Sequence, residues 1–173
     1  FIVAYCGRFN KRKGCRRLSD AISLLDNENI KSIFIGVAAG SDLEEPSCEG
    51  ILFKGALPHE SIPTYLNAAD VFVLPTLAEG CSNAIVEAMA CGLPVISSNL
   101  PFNFDILNEN NAFLVDPMNV EQIAGCIEKL RTNPELRQQM SAAALETVKD
   151  LTIEKRVKSI LQFIRQRCKD ANV

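Results

Sequence analysis

Two apolar runs, Val71-Phe72-Val73-Leu74-Pro75 and Leu93-Pro94-Val95-Ile96, enclose a polar turn at Glu79-Gly80-Cys81-Ser82 and an Ala-rich stretch from Asn83 to Cys91. No other stretch constrains the fold as much, because this order spells strand, loop, helix, strand. In such a unit the loop lies outside the carboxyl end of the first strand, where open parallel sheets bind ligands, and the helix points its free N–H groups there. That end suits an anion. Of the two carboxylates in the segment, Glu79 lies in the loop, while Glu87 stands one helical turn past Asn83, about 6 Å further along the axis.

The same alternation runs through the rest of the chain. Further strands are predicted at Phe1 to Tyr5, Ser32 to Val37, Ile51 to Phe53 and Ala112 to Val115, beside the pair at Val71 to Leu74 and Pro94 to Ser97. A helix is predicted from about Arg16 to Asp26, with Leu18, Ala21, Ile22 and Leu25 on one face. Another is predicted over His59 to Ala69, which Pro63 confines to a start near Ile62 or a kink. Asp116-Pro117 opens a helix to about Arg131, and Asn133-Pro134 one to about Lys149. Thr152 caps a last one, whose Val157, Ile160, Leu161 and Ile164 are expected to be buried. The fold class is α/β: a Rossmann-like, doubly wound parallel sheet of about six strands with helices on both faces, closed by a helical C-terminal portion.

Charge and composition narrow the partners. The 173 residues are 47% hydrophobic and 23% charged with a net charge of −3, which reads as globular and gives no general pull toward nucleic acid or anionic membrane. The seven cysteines, at 6, 15, 48, 81, 91, 126 and 168, include no C-x-x-C pair, which favours reduced thiols in a cytosolic protein over disulfides or a metal site. Phe1 to Tyr5 already reads as the interior of a buried strand, so we expect the chain to be part of a longer protein.

Between the first strand and the first helix runs Cys6-Gly7-Arg8-Phe9-Asn10-Lys11-Arg12-Lys13-Gly14. Arg8, Lys11, Arg12, Lys13, Arg16 and Arg17 make six of ten consecutive residues basic. A basic cluster is usually a solvated face. Glycines at both ends and a place between buried strand and helix bring these cations, with backbone N–H groups, to the same sheet edge as the 79–87 segment. The polar stretch from Ala38 to Ser47 reads as a surface loop, and His59, the only histidine, as structural.

Taken together, these stretches resemble the C-terminal, donor-binding domain of the retaining group 1 glycosyltransferases, of family 4 type and two-domain GT-B fold. The resemblance rests on Gly7-Arg8 with Lys13-Gly14, on Phe53-Lys54-Gly55, on Ala69 to Pro75, and on Glu79 with Glu87 as an E-x7-E pair running into Ala88-Met89-Ala90-Cys91-Gly92-Leu93-Pro94. It implies that Gly7, Arg8 and Lys13 meet the diphosphate of a UDP- or GDP-sugar, and that Glu87 accepts hydrogen bonds from the ribose. Glu79, with the backbone of Gly80, Cys81, Ser82 and Asn83, would face the donor sugar and its phosphate, and the backbone at Ile51 would meet the base. Arg8, Lys13 and Glu79 are the residues implied in catalysis, with no cofactor and no metal. An absent N-terminal domain would supply the sugar or lipid-linked acceptor and any peripheral membrane contact, so this piece alone would transfer nothing. Relatives in the family build cell-envelope polysaccharides. A sugar-nucleotide epimerase of similar fold and a non-catalytic nucleotide-binding module remain alternatives.

Overall fold

A computed structural model describes residues 1–80 and 82–170. Cys81, assigned above to the donor site, lies outside the described residues. Six strands form one sheet: β1 (Ile2–Cys6), β2 (Lys31–Ile35), β3 (Ile51–Gly55), β4 (Val71–Leu74), β5 (Val95–Ser98) and β6 (Ala112–Val115). Their spatial order is β3-β2-β1-β4-β5-β6 and every neighbouring pair is parallel. The four residues of β4 are buried throughout, which explains why they appear as an unbroken apolar run rather than as alternation, and β5 is equally buried although it ends in Ser97 and Ser98. At the edge, β3 alternates half-buried and exposed residues.

Helices cover both faces. α1 (Cys15–Leu25) packs against α4 (Val120–Thr132), and α3 (Asn83–Ala90) against α5 (Pro134–Val148). Leu18, Ala21 and Ile22 of α1, Ile85, Ala88 and Met89 of α3, and Ile123, Ile127 and Leu130 of α4 meet Tyr5, Phe34, Phe72, Leu74 and Ile96 in one core. Between β3 and β4 a 3-10 turn, His59–Ser61, leads into the short α2 (Ile62–Asn67), with Pro63 in its first turn, where a missing N–H does no harm.

Two expectations are corrected. The helix expected to open at Asp116-Pro117 begins at Val120: Asp116 Oδ1 accepts the Met118 N–H at 2.9 Å, closing a turn, and Asn119 caps the helix by accepting from Gln122 N at 2.8 Å. The last helix, α6 (Ile153–Asp170), is capped at Thr152, whose Oγ1 accepts from Lys155 N at 3.3 Å. Its stripe is not buried, however. Val157, Ile160, Leu161 and Ile164 are 46–50% exposed. Helical periodicity shows which side is apolar but not what packs on it, and the sheet faces are already covered by α1, α3, α4 and α5. No described helix is long and apolar enough to cross a membrane.

Candidate functional site

The order 3-2-1-4-5-6 has its switch point between β1 and β4, where the chain turns outward in opposite directions and leaves a crevice at the carboxyl ends of the strands. The β1–α1 loop and the β4–α3 loop both open onto it.

The β1–α1 loop is shaped by contacts that composition alone does not reveal. The buried Tyr5 hydroxyl donates to the Arg8 carbonyl at 2.8 Å, and burial pushes its phenol above the ordinary range, with the Cys15 and Cys6 thiols adding to the rise. Asn10, 5% exposed, accepts the Lys13 N–H on Oδ1 at 3.0 Å. The Ala38–Ser47 stretch, expected to be a surface loop, pins the β1–α1 loop from outside together with Val37 just before it. Phe9 N donates to Val37 O at 2.8 Å, Lys11 N to Asp42 O at 2.9 Å, and Cys15 Sγ to Glu44 O at 3.0 Å. Gly14 then enters α1 at φ 76°, and a Cβ there would lie 2.5 Å from the Pro75 carbonyl oxygen. Only glycine permits that approach.

The two loops are fastened to each other. Arg17 donates from Nη1 to Lys11 O at 2.9 Å and from Nη2 to Pro75 O at 2.8 Å. Its Nε is buried without a partner, and burial lowers the guanidinium below its usual range. Leu77 N donates to Arg12 O at 2.8 Å. Beneath the second loop lies a buried polar network. Ser97 Oγ donates to Leu74 O at 2.8 Å, Ser98 Oγ to Thr76 O, and Asn103 Nδ2 to Ser98 O at 2.7 Å.

On this base the structure gathers most of the residues named from the sequence. Lys13 Nζ pairs with Glu79 Oε1, the two side chains only 14% and 10% exposed. Glu87, 34% exposed, projects from α3 and meets His59 Nε2 at 3.2 Å. Cys6, at the end of β1, lies within the field of both groups: burial pushes its thiol up to about 11, the Glu87 charge adding and the Lys13 charge subtracting. Ser82 is the N-cap residue of α3, yet its side chain makes no capping bond, leaving the first-turn N–H groups of Asn83 and its neighbours to an outside acceptor. Gly80 is exposed, and a Cβ there would meet nothing within 4 Å. Arg8 is exposed and forms no ion pair with any described residue. Gly7 N donates to Ile35 O at 2.9 Å, which fixes the start of the loop.

Ile51 is corrected. It opens β3 and pairs with Ser32, whereas the carboxyl end of the strand is Gly55, opposite Ile35. Four residues of strand place Ile51 about 13 Å from the ligand edge. The direction of β3, readable from Phe53-Lys54-Gly55 preceding the Pro58 turn, points to Gly55 and the residues after it. His59 was also read differently from the sequence. Its contact with Glu87 spans 28 residues and leaves no trace in spacing.

The sheet order and the crevice at its switch point define a doubly wound, Rossmann-like domain. The chain belongs to the group 1 glycosyl transferases, whose family model matches residues 1–147. It is 29% identical over 148 residues to the putative teichuronic acid biosynthesis glycosyltransferase TuaC of Bacillus subtilis, covering 85% of this chain and 37% of that protein. It is 31% identical over 146 residues to the capsular polysaccharide biosynthesis glycosyltransferase CapM of Staphylococcus aureus, covering 80% and 38%. The chain thus spans less than two fifths of the length of these relatives. In fold it matches HepE of Anabaena, crystallised with UDP and glucose, at a TM-score of 0.79 with 20% identity, over 94% of this chain and 48% of that one.

Proposed function

We propose that this chain is the donor half of a glycosyltransferase that moves a sugar, with retention, from a UDP- or GDP-sugar to an acceptor held elsewhere in the whole protein. The observation that carries the reading is the convergence of Lys13, Glu79, Glu87 and the N-terminus of α3 at one switch point. A diphosphate brings two or more negative charges to that place. Lys13 offers a mobile point charge, Arg8 a planar fork for two oxygens, and α3 its free N–H groups. Glu87, one turn further along, accepts from ribose hydroxyls at a distance that softens repulsion between carboxylate and phosphate. HepE, a protein of the same fold, was crystallised with UDP, which supports a nucleotide in this crevice.

In the transfer step the bond from the anomeric carbon to the diphosphate oxygen breaks, and negative charge accumulates on the leaving group. Groups that bind that charge better than the ground state lower the barrier. Lys13, Arg8 and the helix N-terminus take that role, without a divalent metal. The acceptor oxygen attacks from the face the diphosphate leaves, and its proton passes to a phosphate oxygen. Glu79 positions the sugar and stabilises the cationic ring, and forms no bond to it.

The test is a thermal-shift and calorimetric titration of the chain with UDP, GDP and their sugars, with and without EDTA. A bound nucleotide at a hundred times its dissociation constant stabilises by about 2.7 kcal/mol, so the melting temperature rises, and EDTA leaves that rise intact. No shift with any nucleotide overturns the reading. For the whole protein, NMR of the product anomer tests retention.

A further inference from the structure

Glu87 does not stand alone at the crevice. His59 opens the 3-10 turn that follows β3 and Pro58, and its Nε2 lies 3.2 Å from Glu87 Oε1. A carboxylate oxygen accepts, so the contact assigns the proton-bearing, donating role to Nε2 of His59. That bond engages one oxygen of the carboxylate and leaves Oε2, with the outer lone pairs of Oε1, for a ligand.

We propose that His59 is a positioning residue that fixes the Glu87 rotamer for the ribose hydroxyls of the donor, a role resting on the ribose reading of Glu87 given above. Glu87 has three side-chain torsions and is one-third exposed, so without a partner it samples several rotamers. His59 is held from a different connection of the chain, the one between β3 and α2. The Pro58 ring fixes the backbone that precedes it, Ser61 N donates to Pro58 O at 2.9 Å, and α2 behind it packs against α3, which carries Glu87. The donor group therefore comes from the β3–α2 connection and the acceptor from the β4–α3 unit. A ribose bound between them meets an acid whose direction is already set. The imidazole itself is 82% exposed on its side chain and lies outside the buried core, so its contact with Glu87 is not a by-product of core packing.

The test measures dissociation constants of UDP, GDP and their 2′-deoxy counterparts by calorimetry on the 173-residue chain and on Glu87→Ala, His59→Ala and His59→Gln. The ratio of deoxy to ribo dissociation constants reports on the acid at the ribose and not on general stability. Support is a ratio that collapses toward one in Glu87→Ala, falls by about threefold in His59→Ala, as loss of one exposed hydrogen bond allows, and recovers in His59→Gln, whose amide can still donate. A ratio lost in Glu87→Ala but unchanged in His59→Ala overturns the positioning role and leaves the ribose role standing. A ratio that survives in Glu87→Ala overturns both. Because His59 is exposed, circular dichroism is expected to superimpose for all three His59 forms.

Discussion

Lys13 and Glu79, 66 residues apart in sequence, are joined in an ion pair that bridges the β1–α1 and β4–α3 loops, both side chains almost closed off from solvent. The pair joins two groups that serve different parts of the proposed donor. On the proposed reading Lys13 serves the diphosphate and Glu79 the sugar, so binding would have to replace a carboxylate on Lys13 with phosphate oxygens.

Glu79→Gln therefore separates affinity from turnover. Removing the acid frees Lys13 in the empty crevice, and we expect UDP or GDP to bind about three- to tenfold more tightly, because a shielded ion pair no longer has to be broken. Transfer by the whole protein falls in the same variant. Lys13→Met moves both down, with nucleotide affinity lost by about 1.5 to 3 kcal/mol, the range for a hydrogen bond to a charged group. Calorimetry of the two variants decides the matter: weaker nucleotide binding in Glu79→Gln would mean that the acid assists the diphosphate rather than competing for its lysine.

Gly14 supports the same junction from the backbone. Its φ of 76° and the 2.5 Å from a built Cβ to the Pro75 carbonyl leave no room for a side chain. Gly14→Ala is expected to cost about 3 kcal/mol, from the left-handed penalty of about 1–2 kcal/mol and the displacement of Pro75. In urea the midpoint should fall with an unchanged slope. A midpoint within error of the parent would show that the two loops are not in contact there.

The sequence made the sheet legible because its central strands β1, β4 and β5 are largely buried and carry apolar runs, and it made Lys13, Glu79 and Glu87 legible because they fall in the loop and helix segments that follow β1 and β4. What it hid has a common physical cause. Arg17 and His59 act through partners that are 58 and 28 residues away, and a hydrogen bond over that distance imposes no local pattern. Ile51 was set at the wrong end because a short apolar run shows the existence of a strand more clearly than which of its ends faces the ligand. The stripe of α6 was taken as buried for a related reason: amphipathicity belongs to one helix, burial to two surfaces.

The thiols give a pH prediction. Burial pushes Cys6 and Cys15 up to about 11, above the value near 8.5 of an unfolded thiol. A raised folded pKa favours the protonated form, so the stability it contributes is fully present below about pH 8.5 and is lost as pH rises toward 11. At pH 8, iodoacetamide is expected to modify the exposed Cys168 first, while Cys6 and Cys15 react only on unfolding or at much higher pH. Peptide mass spectrometry over a pH series checks the order. Early labelling of Cys6 would show that its thiol is open to solvent at the end of β1.

Arg17 offers a separation of loop order from ligand contact. Its guanidinium spans two carbonyls, Lys11 O and Pro75 O, in different loops, and that span needs a planar fork, which an ammonium lacks. Arg17→Lys keeps the charge and gives up one of the two bonds at least, for a loss of about 1 to 2 kcal/mol in stability. The consequence for binding follows from geometry. Lys13 sits between Lys11 and Gly14, so releasing Lys11 O loosens the segment that aims its ammonium, and nucleotide affinity falls although Arg17 is turned toward the backbone. The Leu77 amide, bonded to Arg12 O at 2.8 Å, is the reporter. Its hydrogen exchange should accelerate in Arg17→Lys in step with the loss of affinity. Weaker binding with Leu77 still protected would instead place Arg17 in direct contact with the diphosphate.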